Sequence, residues 1–412
     1  MKFPYAEVEF RSTGELHDPA QQRAAIDLVT DAGAADVLFL AHGWNNHKDQ
    51  AARLYERLTD NIAAVRGNVP GARERKLAVV GLLWPSVKWA DDDDLAGGGL
   101  SSADEAADLI AAIKQRVVDP EIADRLARLV PTLETSQDSR AAFLAELRAL
   151  LPDLPDDEEA PPDTLIDGEV EETFDKVSEE DDDLSGAEPV GGGAAGIGDF
   201  GRSILRKARG LLNLTTYYTM KDRAQQVGEA GVRPLAVAMA DAAPDARLNF
   251  AGHSFGARVI SAAAAQLPQV HSVSLLQGAF SHFGFAQDYD DDGADGAFRR
   301  LLIGGQLTGP VVVTHTVNDR AVGLAYAVAS RLAGQQGAGV GGPDDRYGGI
   351  GRNGALKTPE AATPAGALLA RSAAYTFEKG KLYNLKADDF IASHGAVSGR
   401  EVANAVLRAV VS

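Results

Sequence analysis

Short apolar runs recur along the chain, and most are followed by a longer stretch in which apolar residues return every three or four positions. Residues 37–41, 77–83, 247–251, 273–277, 310–317 and 382–386 read as short strands, most of them buried on both faces. Residues 5–10 alternate polar and apolar, as a half-covered edge strand does. Residues 50–65 place Leu54, Leu58 and Ile62 on one helical face. Helical patterns also occupy 103–118, 120–129, 139–151, 217–228, 257–266, 320–332 and 398–411. Strand and helix alternate, which predicts an α/β fold.

Composition changes this picture at one place. The 412 residues suit one large domain with an insertion, or two domains, and an apolar fraction of 45% is ordinary for a globular protein. The segment 151–190 carries 17 acidic residues against Lys176 alone, a balance of −16 within a chain total of −19. With its prolines and the closing Gly191-Gly192-Gly193, it reads as a solvated linker and disfavours nucleic-acid binding. The expected organisation is a first half of the core at 1–85, a helical cap insertion at 86–215 with its acidic linker at about 151–195, and a second half at 216–412. No apolar run reaches the length of a membrane span, and Met1-Lys2-Phe3-Pro4 leads into no apolar signal segment. A cytoplasmic protein without stable membrane insertion is expected. The lack of cysteine excludes disulfides and thiolate metal sites.

The chemistry begins at Gly252-His253-Ser254-Phe255-Gly256, a G-x-S-x-G string between a strand and a helix. A chain with 43 glycines can produce such a string by chance, but here a strand precedes it and a helix follows. That context lifts the Ser254 hydroxyl above the sheet edge on a strained turn, with glycines where strand and helix pass closely. Ser254 is therefore the candidate nucleophile. An acyl-transfer enzyme also needs two N–H donors aimed at the developing oxyanion. Phe255, after the nucleophile, supplies one candidate. The other is Trp44, in the loop His42-Gly43-Trp44-Asn45-Asn46 that ends the strand at 37–41, where Gly43 permits a tight turn. His42, Asn45 and His253 complete the candidate oxyanion and substrate-binding set, although His-Gly followed by two asparagines also suits a plain turn.

Asp319 follows the strand at 310–317 and can orient a general base; Asp319 or Asn318 can equally cap the helix that begins at Arg320. Asp291 and Asp292 are rival acids. Of the eight histidines, His394 lies in the loop between the last strand and the last helix, where a loop-borne base belongs, and His42, His253, His271, His282 and His315 are less well placed. The order Ser254, Asp319, His394 matches one hydrolase class and differs from the chymotrypsin and subtilisin orders.

On these residues the chain resembles the α/β-hydrolase superfamily, specifically bacterial serine hydrolases of esterase and lipase type with a His-Gly-Trp-Asn-Asn-like oxyanion loop. The resemblance covers roughly residues 30–85 and 215–412. It implies an α/β-hydrolase fold, with a mostly parallel eight-stranded sheet flanked by helices, and Ser-His-Asp chemistry without a cofactor. The expected substrate is a small-molecule ester or lipid. The large insertion departs from the family, whose lids commonly follow the sixth strand. Two further readings remain open: a phospholipase acting at membranes, and a non-catalytic module of the same fold. The first would use the basic amphipathic stretch 203–212, which otherwise packs as a helix on the body. Asp288-Tyr289-Asp290-Asp291-Asp292-Gly293 opens like a calcium loop, but the twelfth position is Arg299 and no metal is expected. The Gly-rich stretch 334–354 lacks a phosphate-loop lysine and reads as a loop between Asp319 and His394.

Overall fold

The computed structural model describes residues 1–44, 47–86, 105–153, 155–177, 204–334 and 342–412. Eight parallel strands form one sheet: β1 (Tyr5–Glu9), β2 (Asp36–Ala41), β3 (Leu77–Leu83), β4 (Arg247–His253), β5 (Ser272–Leu276), β6 (Val311–His315), β7 (Gly366–Ala367) and β8 (Leu382–Lys386). Their spatial order is β1-β3-β2-β4-β5-β6-β8-β7, so β2 and β4 are neighbours near the middle and the alternating β1 is an edge. The β1 to β6 and β8 positions follow the hydrophobic runs of the sequence. The two-residue β7 does not, because both of its residues are exposed.

Successive side chains of a strand point to opposite faces, and each face has its own core. Val37, Phe39 and Ala41 of β2 join one cluster with the helices Pro19–Ala32, Ile204–Gln226, Arg233–Ala242 and Phe255–Ala264. Leu38 and Leu40 join the other, under the helices Lys48–Val65 and Arg400–Val411. Covering both faces explains why β2 and β3 are almost wholly apolar and why β2, β3 and β5 are fully buried.

The insertion contributes the helices Glu105–Arg116, Pro120–Leu129, Gln137–Ala149, Asp163–Ile166 and Val170–Lys176. Leu109, Ile113, Leu126, Phe143, Leu147, Leu165 and Phe174 turn inward and share the first core with Ile204–Gln226. Within the acidic segment, residues 155–177 are packed structure and not solvated chain. Glu158 and Glu159 are buried, and Glu159 accepts from Arg258 at 2.5 Å, from Tyr217 at 3.1 Å and from Tyr326. Lys221 lies 3.6 Å from Glu159 and 2.8 Å from Asp157. The cations that make this burial possible stand far along the chain, where local charge counting cannot see them. Residues 178–195 of the expected linker lie outside the described residues.

The basic stretch 204–212 forms the start of Ile204–Gln226 and buries Leu205, Ala208, Leu211 and Leu212. Its Arg206 and Lys207 pair with Glu105 and Asp175 of the insertion. Among the described residues, no helix is long and apolar enough to cross a membrane.

Candidate functional site

β4 ends at His253, and the helix Phe255–Ala264 starts two residues later. Ser254 makes the turn alone, with φ 56° and ψ −126°, a backbone state that L side chains avoid unless the surroundings enforce it. Here they do. The Ser254 N–H donates to the Leu276 carbonyl at 3.1 Å, while its own carbonyl accepts from Ala257 at 3.0 Å and Ala279 at 3.1 Å. The flanking glycines are required by contact. A Cβ on Gly252 would stand 2.4 Å from the Gly256 carbonyl oxygen, and one on Gly256 would stand 2.3 Å from the Ala41 oxygen.

The neighbouring loop from β2 presses onto this turn. A Cβ at Gly43 would meet the Ser254 Cβ at 2.7 Å, so the loop backbone lies directly against the serine. His42 behind it is fully buried, and burial lowers its pKa to about 4. Its Nδ1 is 2.9 Å from the Gly43 carbonyl, which can only accept, so Nδ1 carries the hydrogen and Nε2 accepts from the Trp84 N–H at 3.3 Å. Trp84 stacks on the ring and donates its indole N–H to the His42 carbonyl at 2.9 Å. His42 therefore shapes the loop from beneath. Trp44 meets the edge of Phe255 with ring centroids 6.0 Å apart. Phe255 opens its helix, so no carbonyl of that helix can satisfy its amide. Asn45 lies outside the described residues.

Asp319 follows β6 and is buried. Its Oδ1 accepts the Val322 N–H at 3.0 Å, capping the helix Arg320–Leu332. Its Oδ2 is 2.9 Å from His394 Nδ1 and 3.1 Å from Gln277 Nε2. The capping and orienting roles that the sequence leaves as alternatives thus belong to one carboxylate. Burial opposes its charge, but the His394 imidazole and these hydrogen bonds outweigh that and hold the carboxyl below the usual range. Pairing Nδ1 with Asp319 leaves Nε2 of His394 as the nitrogen for proton exchange.

His253 joins the two halves. Its Nε2 is 2.9 Å from the His394 carbonyl, so it donates there, and the two rings lie 4.8 Å apart. Its ring thus turns toward the base loop. Burial, then the adjacent His394, lowers its pKa to about 3. The loops bearing Asp319 and His394 are also stitched directly: Asn318 donates to the Asp388 and Ile391 carbonyls at 3.0 Å each, and Asp388 accepts from Thr316 at 2.8 Å.

Gln277 and Trp84 are supporting residues that sequence reasoning passed over, and Asn318, read there as a possible cap, instead ties the Asp319 loop to the His394 loop. Gln277 sits at the end of β5 with φ 48°, buried, and also donates to the Gly351 carbonyl at 2.7 Å. A polar residue ending an apolar strand beside the nucleophile strand was the available signal. Of the rival acids, Asp291 is exposed and pairs with Lys357, and Asp292 is exposed too. In the calcium-like loop, Asp288 and Asp290 accept backbone N–H groups from Gly293, Asp292 and Ala294. Arg299 is buried against Glu360. Among the described residues no group of three or more His, Asp or Glu is placed to hold a metal ion.

Chemically, the arrangement sets a serine on a strained turn, and the residue before it bonds to the loop of an imidazole whose Nδ1 is held by an ionised carboxylate. Such a set can form and break acyl bonds. No protein-family model, curated protein or solved structure matches the chain.

Proposed function

We propose that the protein is a serine hydrolase of the α/β-hydrolase type that cleaves carboxylic esters of small-molecule or lipid-like substrates. Ser254 Oγ attacks the ester carbonyl as His394 Nε2 takes its proton; the imidazolium is stabilised by Asp319 and then protonates the leaving alcohol. The Phe255 and Trp44 amides hold the oxyanion, and water releases the acyl group from Ser254. The observation that carries this reading is the meeting of two structures at one point. The residue before the strained Ser254 hydrogen-bonds to the carbonyl of His394, and the imidazole of that same residue is paired with Asp319.

The test is labelling with a fluorophosphonate probe, followed by a screen of p-nitrophenyl esters of graded chain length. Labelling and turnover are expected, and both vanish in Ser254→Ala. A folded protein that neither reacts nor turns over any ester is instead a non-catalytic module of this fold. For a membrane-acting phospholipase the support is thinner, because Arg206 and Lys207 are engaged by Glu105 and Asp175.

A further inference from the structure

Beside the base loop lies a cavity of roughly 320 Å³ whose wall includes Gln50, Arg53, Arg57, His253, Gly395 and Ser398. It sits between the N-terminal half of Lys48–Val65 and the loop that follows His394, with the residue before Ser254 in its lining. Its walls are rigid elements. The helices Lys48–Val65 and Arg400–Val411 share one core, and Asn61 of the first donates to the Ser398 carbonyl at 2.7 Å.

Apart from Leu54 and Gly395, the lining is polar, and its charge is positive. Arg53 and Arg57 are four residues apart and so project from one helical face, and among the described residues no carboxylate lines the cavity. Arg53 pairs with Asp49 at 2.6 Å, a contact open to solvent on both sides. Arg57 has no acidic partner among the described residues. Ser398 lies just before Arg400–Val411, whose first turn carries Glu401, so the positive field of the cavity comes from the two guanidinium groups and not from that helix end. A guanidinium pair in a cleft recognises flat, bidentate oxyanions best.

We propose that this cavity binds a carboxylate or phosphate group carried by the substrate, which makes esters bearing an acidic group the preferred substrates. The substrate part rests on the hydrolase reading; the anion site does not. The decisive experiment uses the full chain as Ser254→Ala, titrated calorimetrically with glutarate and, separately, with inorganic phosphate. The same titrations follow with Arg53→Met and Arg57→Met added. Saturable binding of at least one anion is expected, weakened roughly tenfold by the two substitutions and partly restored by Arg57→Lys. Glutarate binding alone identifies a carboxylate site, and phosphate binding alone a phosphate site. Binding of neither anion, or binding indifferent to the substitutions, overturns the proposal. In the Ser254 protein, kcat/KM for the p-nitrophenyl monoester of glutarate, divided by that for a neutral ester of equal length, should fall when Arg53 and Arg57 are replaced. Anion binding without turnover of any ester removes the hydrolase reading and leaves the site; turnover without anion binding does the reverse.

Discussion

His253 donates its Nε2 hydrogen to the carbonyl of His394 at 2.9 Å, which ties the end of β4 to the loop bearing the His394 imidazole. His253 is buried and holds its neutral form down to about pH 3, so the tie does not switch near neutrality. On the proposed hydrolase reading it is a positioning residue. In His253→Phe, kcat is expected to fall roughly tenfold while KM changes less, because a base displaced by a fraction of an ångström loses alignment and not substrate contact. His253→Gln, which can still donate, should recover part of the loss. Unchanged kcat in the Phe variant, with only a lower Tm, would show a purely structural role.

Asp319 caps a helix with one oxygen and orients His394 with the other, and two substitutions separate these duties. Asparagine caps as well as aspartate but cannot stabilise an imidazolium. Asp319→Asn should therefore keep Tm near its original value and lower kcat by about 10²–10⁴-fold. Asp319→Ala should lose the same activity and about 1 kcal/mol of stability besides, read from urea unfolding. Equal stability for the two variants would mean the cap contributes nothing.

Gly256→Ala should fail structurally. The new methyl would stand 2.3 Å from the Ala41 oxygen and 2.5 Å from the His42 oxygen, both main-chain atoms with no rotamer to move. Relief requires parting the helix Phe255–Ala264 from β2, at a penalty of about 3 kcal/mol or more. A differential scanning trace within a degree or two of the parent would refute this reading of the turn.

Glu158 is buried near Glu159 and Asp157, and burial first, then those charges, pushes its pKa from 4.5 up to about 7. The folded state then keeps this proton at pH values where the unfolded chain has released it. Between about pH 4.5 and 7 the unfolded state binds fewer protons, so this group makes stability fall as pH rises, with no further change above the window. Its slope approaches about 1.4 kcal/mol per pH unit. Comparing Tm against pH for the parent and Glu158→Gln isolates it: the difference should widen in favour of the variant across that window. A constant difference would rule the titration out.

Much of this was legible because the fold repeats a simple signal. Apolar runs mark six of the eight described strands and an alternating pattern marks β1, and Ser254, Asp319 and His394 all follow strand ends, where a reader of parallel sheets looks first. What escaped depends on partners remote in sequence. Gln277 carries no motif; its role comes from a left-handed backbone that aims its amide at Asp319. Glu158 and Glu159 look like linker until Lys221 and Arg258 arrive from 62 and 99 residues away. β7 carries no hydrophobic signal at all.

The contact between Glu159 and Arg258 also bears on how the chain can be dissected. Arg258 stands in the first turn of the helix that follows Ser254, so the insertion reaches the rear of that turn through a buried ion pair shared with Lys221. Excising residues 155–177 would strand two cations away from water, a loss of about 3–5 kcal/mol where a buried pair is broken. A minimal version of this protein therefore cannot be made by trimming to the sheet and its helices. Any shortened variant has to retain that carboxylate, or replace Lys221 and Arg258 with apolar side chains at the same time.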